Sequence, residues 1–397
     1  MPIDPYTALS QWRNSVYVIF ALSGAGLATW FSRLPTVRDH LDATTGQMGL
    51  LVLGLSIGSI IGLSLSSRIV ESLGPTTTIW SSLLVTAAAL VATSLGAATL
   101  SSYWVVFAGL GCYGAGAGTC NVAMNLEAAA VERALHRSLM PLFHASFSLG
   151  GVIGAGLGWL ASALSIDVTL HFGVVALLTC VAAHRCVRHL QVHDAEHRSQ
   201  PRTRTTVRSV WLEPRTVLIG LVVLGTSFAA GAANDWVALA MVDGHGVDNA
   251  TGAVAVGVYV TFTTVARLLG GPLLDRFGRV AVLRSSAAIG VAGMIVFIFD
   301  PDPVSAMVGV ALWGLGAALG FPVGMSAAAD DPLGASRRIS AVATIGYFAT
   351  LVGPLGIGYL AEQVGLLHAL LVVLVFVVAA GAVSPAAREP AARTPSG

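Results

Sequence analysis

The sequence predicts an all-α membrane protein with 12 transmembrane helices in two pseudo-symmetric six-helix bundles. Composition is the first reason: 55% of the 397 residues are hydrophobic, 10% are charged, and the mean hydropathy is +0.78. An ordinary soluble domain carries roughly a quarter of charged residues. The second reason is a series of apolar windows, each near the roughly 20 residues that cross a bilayer as a helix. The third is a period of roughly 200 residues that relates the two halves of the chain.

The predicted spans follow one another with short connections. Helices are the expected crossing elements because lipid offers no hydrogen-bond partner to an open backbone. Residues 1–14 are expected to be a short polar start, and the first apolar run lacks a small-residue cleavage site, so it is predicted to be a retained span. Tight turns are expected at 74–75, 300–303 and 330–332. The predicted spans are 15–33, 47–67, 76–98, 102–127, 139–164, 168–187, 214–241, 250–272, 279–299, 304–328, 338–361 and 365–384.

The distribution of arginine orients the spans. All 21 basic residues are arginines, and they concentrate in alternate loops, with only Arg33 and Arg38 on the other side. The positive-inside rule therefore places both termini in the cytoplasm, with the bacterial inner membrane as the expected location. The net charge of +1 gives no sign of a nucleic-acid-binding surface. The expected partners are a small-molecule solute, protons and the lipid bilayer, and the expected state is a monomer.

The longest polar stretch divides the chain into two halves. The predicted domains are an N-terminal six-helix bundle at 1–187, a cytoplasmic linker at 188–213, a C-terminal six-helix bundle at 214–384 and a cytoplasmic tail at 385–397. Within the linker, His189, His193 and His197 recur every four residues, which would align them on a helix and could hold a metal. A solvated basic linker near the lipid headgroups is the favoured interpretation.

Several enzyme-like patterns have structural explanations. Residues 109–114, GLGCYG, have the spacing of a dinucleotide loop, but they lie inside an apolar span with no preceding strand, which favours close helix packing. Glycines 54, 58 and 62, and 150, 154 and 158, form small-residue stripes of the same kind. The four cysteines lie in apolar segments and are expected to be reduced. No cofactor, no metal and no enzymatic activity are predicted, and ATP is not the expected energy source.

Sequence matches at a common offset support an internal repeat. AGLATW at 25–30 matches AGAANDW at 230–236, and GLGWLA at 156–161 matches GIGYLA at 356–361. Arg137 and Arg337 precede equivalent spans. The repeat predicts two like-oriented bundles with a cleft between them.

One cytoplasmic turn carries a specific pattern, GPLLDRFGRV at 271–280. It resembles the G-x-x-x-D-R-x-G-R signature of the major facilitator superfamily at Gly271, Asp275, Arg276, Gly278 and Arg279. This resemblance implies the fold of that superfamily (MFS) and a loop that holds the inner face closed without binding the solute. The equivalent first-half loop, 67–76, departs from the pattern, so inner-face closure is expected to depend mainly on the second half.

Further motifs narrow the resemblance. RLP at 33–35, NVAMN at 121–125, FHASFSLGG at 143–151, AANDW at 232–236 and VGP at 352–354 are similar to a bacterial branch of the superfamily that includes rhizopine-type and sugar-type transporters. The matches cover nearly the whole chain.

A carboxylate within the seventh span is the most informative polar residue. Asp235 lies eight residues before Asp243, on the order of 12 Å inside the outer end of the helix. A charge at such a depth needs a partner, a water-lined cavity or a function. One interpretation is a fixed ion pair with Arg33. The favoured one is that Asp235 binds a proton or a solute and changes partners during transport, so that the pair with Arg33 acts as a gate.

Polar residues of the fourth and fifth spans are further candidates. Asn121 and Asn125 lie one helical turn apart and suit a hydroxyl- or amide-bearing solute, although interhelical hydrogen bonding is an equal alternative. Glu127 is expected near the cytoplasmic end, where pairing with a nearby arginine or another helix is favoured over solute contact. His144 could relay protons with Glu127, although a packing role is the more common one for such a histidine.

Aromatic residues flank the predicted cleft. Trp30 and Trp236 could stack on a sugar-like ring or be ordinary interfacial tryptophans, and Asn234 is included in the predicted solute site with Asp235. Arg267 is expected to reach the inner surface or to join the signature loop.

The predicted function is secondary active transport of a small polar organic solute by alternating access, with proton coupling. The alternative is efflux of a drug or natural product by proton antiport. A non-transporting receptor or channel is a distant third, because the polar residues are sparse and no sizeable soluble domain is present.

Overall fold

The chain is helical throughout the part that the computed structural model describes, residues 5–43, 45–190, 210–247 and 249–389, and those ranges contain no strand. Within these described ranges, ten helices are long and apolar enough to cross a membrane. One of them, Val254–Phe299, covers two predicted spans, and the helix at Ala335–Val364 is not among the ten. An all-helical membrane protein is therefore confirmed, and the number twelve and the orientation of the termini stay predictions.

Internal packing divides the chain into two units. The first comprises Met1–His136 and Phe143–Arg204, and the second comprises Arg137–Leu142 and Thr205–Gly397. The short loop at 137–142 thus packs with the second unit. Residues 191–209, which include His193, His197 and most of the predicted linker, lie outside the described residues, as do residues 390–397 of the predicted tail.

The described part of the first unit contains seven helices. They are α1 (Pro5–Ser32), α2 (Leu34–Leu41), α3 (Thr45–Leu73), α4 (Pro75–Ala98), α5 (Tyr103–Leu135), α6 (Met140–Ala163, whose first residues group with the second unit) and α7 (Val168–Val187). The second unit contains α8 (Pro214–His245), α9 (Asn249–Phe299), α10 (Pro303–Ala317), α11 (Gly320–Ala328), α12 (Ala335–Val364), α13 (Leu366–Ala369) and α14 (Leu371–Val383), followed by a 3-10 turn at Ser384–Ala387.

Local chemistry explains where several helices begin. The Asp167 carboxylate caps α7 by accepting hydrogen bonds from Thr169 N at 2.8 Å and Leu170 N at 3.2 Å. Asp302 caps α10 in the same way, through Ser305 N at 2.9 Å. Proline occupies the first turn of α4, α8 and α10, where its missing N–H costs nothing. The predicted short turns at 74–75 and 300–303 therefore have a physical cause.

The helices differ from the predicted spans in detail. Helix α1 begins at Pro5, ten residues before the predicted span. The predicted span 304–328 agrees with the apolar stretch Pro303–Ala328, and that stretch contains a break between α10 and α11, because Pro322 cannot donate to the carbonyl of Ala318 and its ring crowds that carbonyl. The predicted spans 250–272 and 279–299 lie on the two sides of Gly278, where the backbone of α9 is kinked and not helical.

The glycine stripes bring helix backbones together. A Cβ on Gly58 of α3 would overlap the carbonyl of Gly111 of α5, and a Cβ on Gly150 of α6 would overlap the carbonyl of Ala21 of α1. Small residues of this kind let membrane helices approach closely and gain packing energy without a hydrophobic driving force. The prediction that GLGCYG is a packing motif agrees with this position of Gly111.

Candidate functional site

The signature loop of the second unit is shaped by two glycines. Gly278 adopts φ 75° and ψ 160°, a conformation that side chains disfavour, and it turns the chain inside α9. At Gly271, a Cβ would lie 2.6 Å from the carbonyl oxygen of Ser138, so only glycine permits the loop before α6 to lie against α9. Both glycines of the signature therefore meet a geometric requirement.

The signature acid contacts that same loop. Asp275 Oδ1 accepts a hydrogen bond from Ser138 N at 2.9 Å, two residues before α6 begins. A carboxylate near the start of a helix also interacts favourably with the positive end of the helix dipole. Asp275 and Gly271 therefore hold residue 138 from two sides, one through the amide and one through the carbonyl.

Arg279, the last basic residue of the signature, is part of an ionic network. Its Nη1 lies 2.7 Å from Asp330 Oδ1, and its Nη2 donates to Ser326 Oγ at 2.8 Å. The other oxygen of Asp330 lies 2.5 Å from Arg215 Nη2, at the start of α8. The Asp330 side chain is only 8% exposed, so this carboxylate joins three helices of the second unit through two arginines. Arg276 instead lies over the Phe277 ring, 5.3 Å from its centroid.

In the first unit, three of the predicted site residues meet. Asn125 Nδ2 donates to the Asn121 carbonyl at 2.8 Å, and His144 Nε2 donates to Asn125 Oδ1 at 3.2 Å. All three side chains are buried, and the Phe20 ring of α1 meets the His144 imidazole edge-on at 5.2 Å. The amide pair is thus joined to α6 by one hydrogen bond, and the interhelical role that the sequence left open is present.

Glu127 lies in a separate contact. It is 2% exposed, and its Oε2 accepts a hydrogen bond from Trp12 Nε1 of α1 at 2.8 Å. Of the predicted alternatives, pairing with another helix is therefore realised. The bonds described for His144 lead to Asn125, and the relay between His144 and Glu127 stays a prediction.

Arg33 and Trp30 are buried at the end of α1. The Arg33 guanidinium is 3% exposed, and its Nη2 donates to the Ile166 carbonyl at 2.8 Å. Trp30 is 0% exposed and packs in the core of the first unit with Phe172 of α7. Stacking of Trp30 on a sugar ring would require that core to open, so the structure does not favour this role.

The ANDW stretch lies on one turn of α8. Asn234 and Asp235 are exposed, Trp236 is half-buried, and Val237 is fully buried. Asp235 makes no hydrogen bond and no ion pair within the described residues of the second unit. Trp236 lines a groove of about 490 Å³ with Asp243, Glu362 and His368, next to the end of the helix. The predicted ion pair of Asp235 with Arg33 would join the two units, and it stays a prediction.

Comparison with known proteins decides the family. A family model described as the Major Facilitator Superfamily matches residues 15–332 and 221–397. The chain belongs to the major facilitator superfamily.

Curated relatives of this superfamily member are bacterial. It is 30% identical over 381 residues to an uncharacterized transporter of Sinorhizobium fredii, with 92% of this chain and 97% of the relative covered. It is 27% identical to an uncharacterized MFS-type transporter of Yersinia pestis, with 88% of each chain covered. It is also 27% identical to the membrane protein MosC of Rhizobium meliloti, with 92% of this chain and 86% of MosC covered.

Solved structures confirm the fold. The fucose:proton symporter FucP of E. coli superposes with a TM-score of 0.81 at 14% identity, covering 95% of this chain and 98% of FucP. The proton:xylose symporter XylE gives a TM-score of 0.74 at 12% identity, covering 96% of this chain and 95% of XylE. The protein is thus a multi-pass membrane transporter of this superfamily and not an enzyme.

Sequence reasoning missed several residues that the site contains. Trp12 was counted in a polar start, but it lies in α1 and donates to Glu127. Asp330 was assigned to a turn, but its carboxylate contacts both Arg215 and Arg279. Arg267 was expected at the inner surface or the signature loop, but its Nε lies 3.5 Å from the Ala318 carbonyl that Pro322 leaves open. These contacts join residues far apart in the sequence.

Proposed function

We propose that this transporter moves a small polar organic solute across the bacterial cytoplasmic membrane by alternating access, as a monomer, with proton coupling through Asp235. The predicted bundles at 1–187 and 214–384 would be the moving bodies, and the predicted segments 188–213 and 385–397 would be cytoplasmic. The state of Asp235 is the observation on which the proposal depends.

Asp235 lies deep in an apolar span and has no hydrogen-bond or ion-pair partner among the described residues of its own unit. It lies within the apolar span Pro214–Val237, and α8 continues to His245, so roughly 15 Å of helix separates it from the helix end. Nothing in the described residues of its own unit donates a hydrogen bond to the carboxylate or neutralises it. A carboxylate at such a depth is least costly when it takes up a proton or binds a solute group.

The described residues of the second unit offer Asp235 no counter-ion, but the first unit contains a cation with unused donors. Arg33 makes one described hydrogen bond, and its Nε and Nη1 have no partner among the described residues. We propose that Arg33 is the counter-ion of Asp235 in one state of the transport cycle and that protonation of Asp235 releases it. The gate would then open only when the carboxylate is neutral.

The amide pair of the first unit is the proposed solute contact. Asn125 Nδ2 donates to the Asn121 carbonyl, and Asn125 Oδ1 accepts from His144 Nε2, so the two amides lie in one buried polar group. Amide side chains carry both donors and acceptors, which suit hydroxyl or amide groups on a solute. Asn234 and Trp236 of α8 are the proposed contacts from the second unit, and Glu127 with His144 the proposed second proton site.

The decisive experiment compares Asp235→Asn with Asp243→Asn in proteoliposomes. Asp243 lies on the same helix near its end and is exposed, so it is a matched control. Radiolabelled fucose, xylose and a panel of polyols and amino sugars are offered under an inward proton gradient, with an internal pH dye as a second readout. Gradient-driven uptake should fall at least about tenfold in Asp235→Asn and persist in Asp243→Asn. Full gradient-driven uptake by Asp235→Asn would show that Asp235 does not couple protons to transport.

A second candidate function is proton-driven efflux of a more apolar compound. The observation that favours it is a cavity of about 320 Å³ in the second unit, lined almost wholly by apolar side chains, with Phe228, Phe348 and Phe376 among them. Everted vesicles with an acidic interior, supplied with a fluorescent lipophilic cation on the outside, would test it. Accumulation of the cation that Phe228→Ala abolishes, together with no uptake of any polar solute, would favour this candidate over the first.

A further inference from the structure

An unusual group of polar side chains is buried where α1 meets the start of α7. Thr29 and Trp30 are 0% exposed, Arg33 is 3% exposed and His171 is 6% exposed. Polar groups so deeply buried are nearly always hydrogen-bonded, because leaving one unpaired costs about 1–3 kcal/mol. This group departs from that rule.

Six polar atoms of these four residues have no partner among the described residues. They are Thr29 Oγ1, Trp30 Nε1, Arg33 Nε, Arg33 Nη1, and His171 Nδ1 and Nε2. Only Arg33 Nη2 is used, by the Ile166 carbonyl at 2.8 Å. The guanidinium and indole atoms can only donate, the hydroxyl can donate, and a neutral imidazole has one N–H. The group is therefore rich in donors and poor in acceptors.

Contacts of the backbone and of Gly158 bring several of these side chains to one region. Thr29 lies in the last turn of α1, and Arg33 directly follows that helix, with its N–H donating to the Trp30 carbonyl at 3.1 Å. His171 is in the first turn of α7, five residues after the carbonyl that receives Arg33. A Cβ on Gly158 of α6 would overlap the Ser32 side chain and lie 3.6 Å from the His171 ring, so the end of α1 and the start of α7 meet beside Gly158.

Arg33 has no acidic partner at ion-pair distance among the described residues of the first unit. Asp167, at the start of α7, uses its carboxylate to cap that helix through Thr169 N and Leu170 N. A buried cation with two unused donor atoms favours the approach of an anion or of a mobile acid.

We propose that Arg33, Thr29 and His171 form a binding site for a small anion, with Trp30 N–H as a further donor. The anionic group is either the carboxylate of an organic solute or a free inorganic halide, and both supply additional acceptors to a group in which donors outnumber acceptors. The positive end of the α7 dipole favours the same charge. Arg33 also serves in the proposed gate, so the inference shares one residue with the proposed function but does not require Asp235.

The test measures anion binding to the purified full-length protein through its melting temperature. Sodium acetate probes the carboxylate, sodium chloride probes the halide, and a bulky sulfonate salt at equal ionic strength is the reference anion. Arg33→Gln removes the cation, and Thr29→Val removes one hydroxyl without changing the side-chain volume. Arg185→Gln, an exposed arginine in the last turn of α7, is the matched control.

Acetate or chloride should raise the melting temperature of the wild type and of Arg185→Gln with a saturable concentration dependence. The apparent dissociation constant should weaken about tenfold or more in Arg33→Gln, because a charged hydrogen-bond partner is lost, and about threefold or more in Thr29→Val. A response to acetate alone assigns the site to a solute carboxylate, and a response to chloride assigns it to an inorganic anion. Equal responses in wild type and Thr29→Val, or no difference from the sulfonate, would overturn the proposal.

Asp235→Asn separates this inference from the proposed function. The anion response should persist in that variant, because none of the four donors is altered. If Asp235→Asn keeps coupled transport while the anion response still depends on Arg33, the proposed coupling fails and the anion site stands. If coupling is lost while no anion stabilises any variant, the anion site fails and the coupling stands.

Discussion

Substitution of Gly271 by alanine tests whether the signature loop is held by the contact seen in the structure. The new Cβ would lie 2.6 Å from the Ser138 carbonyl oxygen. A methyl group and an oxygen need roughly 3.2 Å or more, so the loop before α6 must move by more than half an ångström. Such a shift would stretch the 2.9 Å bond from Ser138 N to Asp275 Oδ1 beyond hydrogen-bonding geometry.

The magnitude follows from the bond that is lost. A hydrogen bond to a charged group contributes about 1.5–3 kcal/mol, so the docked state of the loop should become about 10- to 100-fold less favoured. Asp275→Asn keeps an acceptor oxygen but loses the charge, and a smaller effect of about tenfold or less is expected. Gly257→Ala is the matched control, because Gly257 lies in the same helix with open space around its Cβ position.

Amide hydrogen exchange measures the effect directly, since the amide of Ser138 is the donor. Peptides that span residues 136–142 should exchange about 10- to 100-fold faster in Gly271→Ala than in the wild type. The same peptides should be unchanged in Gly257→Ala. Unchanged exchange in Gly271→Ala would show that the loop is not held by this contact, and equal acceleration in both variants would show a general loosening of α9.

Two further predictions concern stability. Asp330→Asn leaves Arg215 and Arg279 without their shared carboxylate, which is 8% exposed, and should destabilise the protein by about 3 kcal/mol or more. The control Asp331→Asn should cost less than about 1 kcal/mol, because the Asp331 side chain is 54% exposed and its arginine is 3.6 Å away. Melting temperatures that fall equally in the two variants would contradict this prediction. Asp167→Ala should cost about 1 kcal/mol through the lost cap. Burial raises the pKa of Asp167, but the hydrogen bonds from Leu170 N and Thr169 N outweigh it, so the pKa lies below its ordinary value. This stabilisation is therefore complete above the ordinary pKa of about 4 and is lost as the pH falls through the lower, folded value, so the difference between wild type and Asp167→Ala should shrink on acidification.

The sequence could predict the fold because membrane helices leave strong local signals. Apolar length and glycine stripes depend only on neighbours along the chain, and they led to the helices and their packing. The signature residues Gly271, Asp275, Gly278 and Arg279 were likewise recognisable from one stretch. A single stretch of sequence does not show which distant residue each of these residues contacts, such as Ser138 for Asp275 and Asp330 for Arg279.

The predicted solute site was harder for the same reason. Asn121 and Asn125 could be placed on one face because their spacing alone determines it, and the structure adds His144 from α6. Burial was not predictable, because it depends on packing between helices. Trp30 looks like an interfacial residue in the sequence, but it is fully enclosed by its own unit. Trp12 looks like part of a polar start, but it lies in a helix that begins ten residues earlier than hydropathy indicates.

The backbone shows the internal repeat more clearly than the residue types do. Of the nine described residues with positive φ, eight form four pairs separated by roughly 200 residues, and Ser101 is the exception. The pairs are Asp42 with Gly246, Gly74 with Gly278, His136 with Gly334, and Ser165 with Gly365. In three pairs the second half uses glycine where the first half uses another residue, so sequence matching does not detect the correspondence. A non-glycine residue with positive φ costs roughly 1 kcal/mol more than glycine. The turns of the first unit therefore keep their shape although their residue types disfavour positive φ. A turn retained at such a cost is held by the helices on either side of it. The repeat is therefore a property of helix placement. The two signature loops differ in their ionic residues, but the backbone angles of their glycines are nearly the same: φ 80° and ψ 158° at Gly74, and φ 75° and ψ 160° at Gly278.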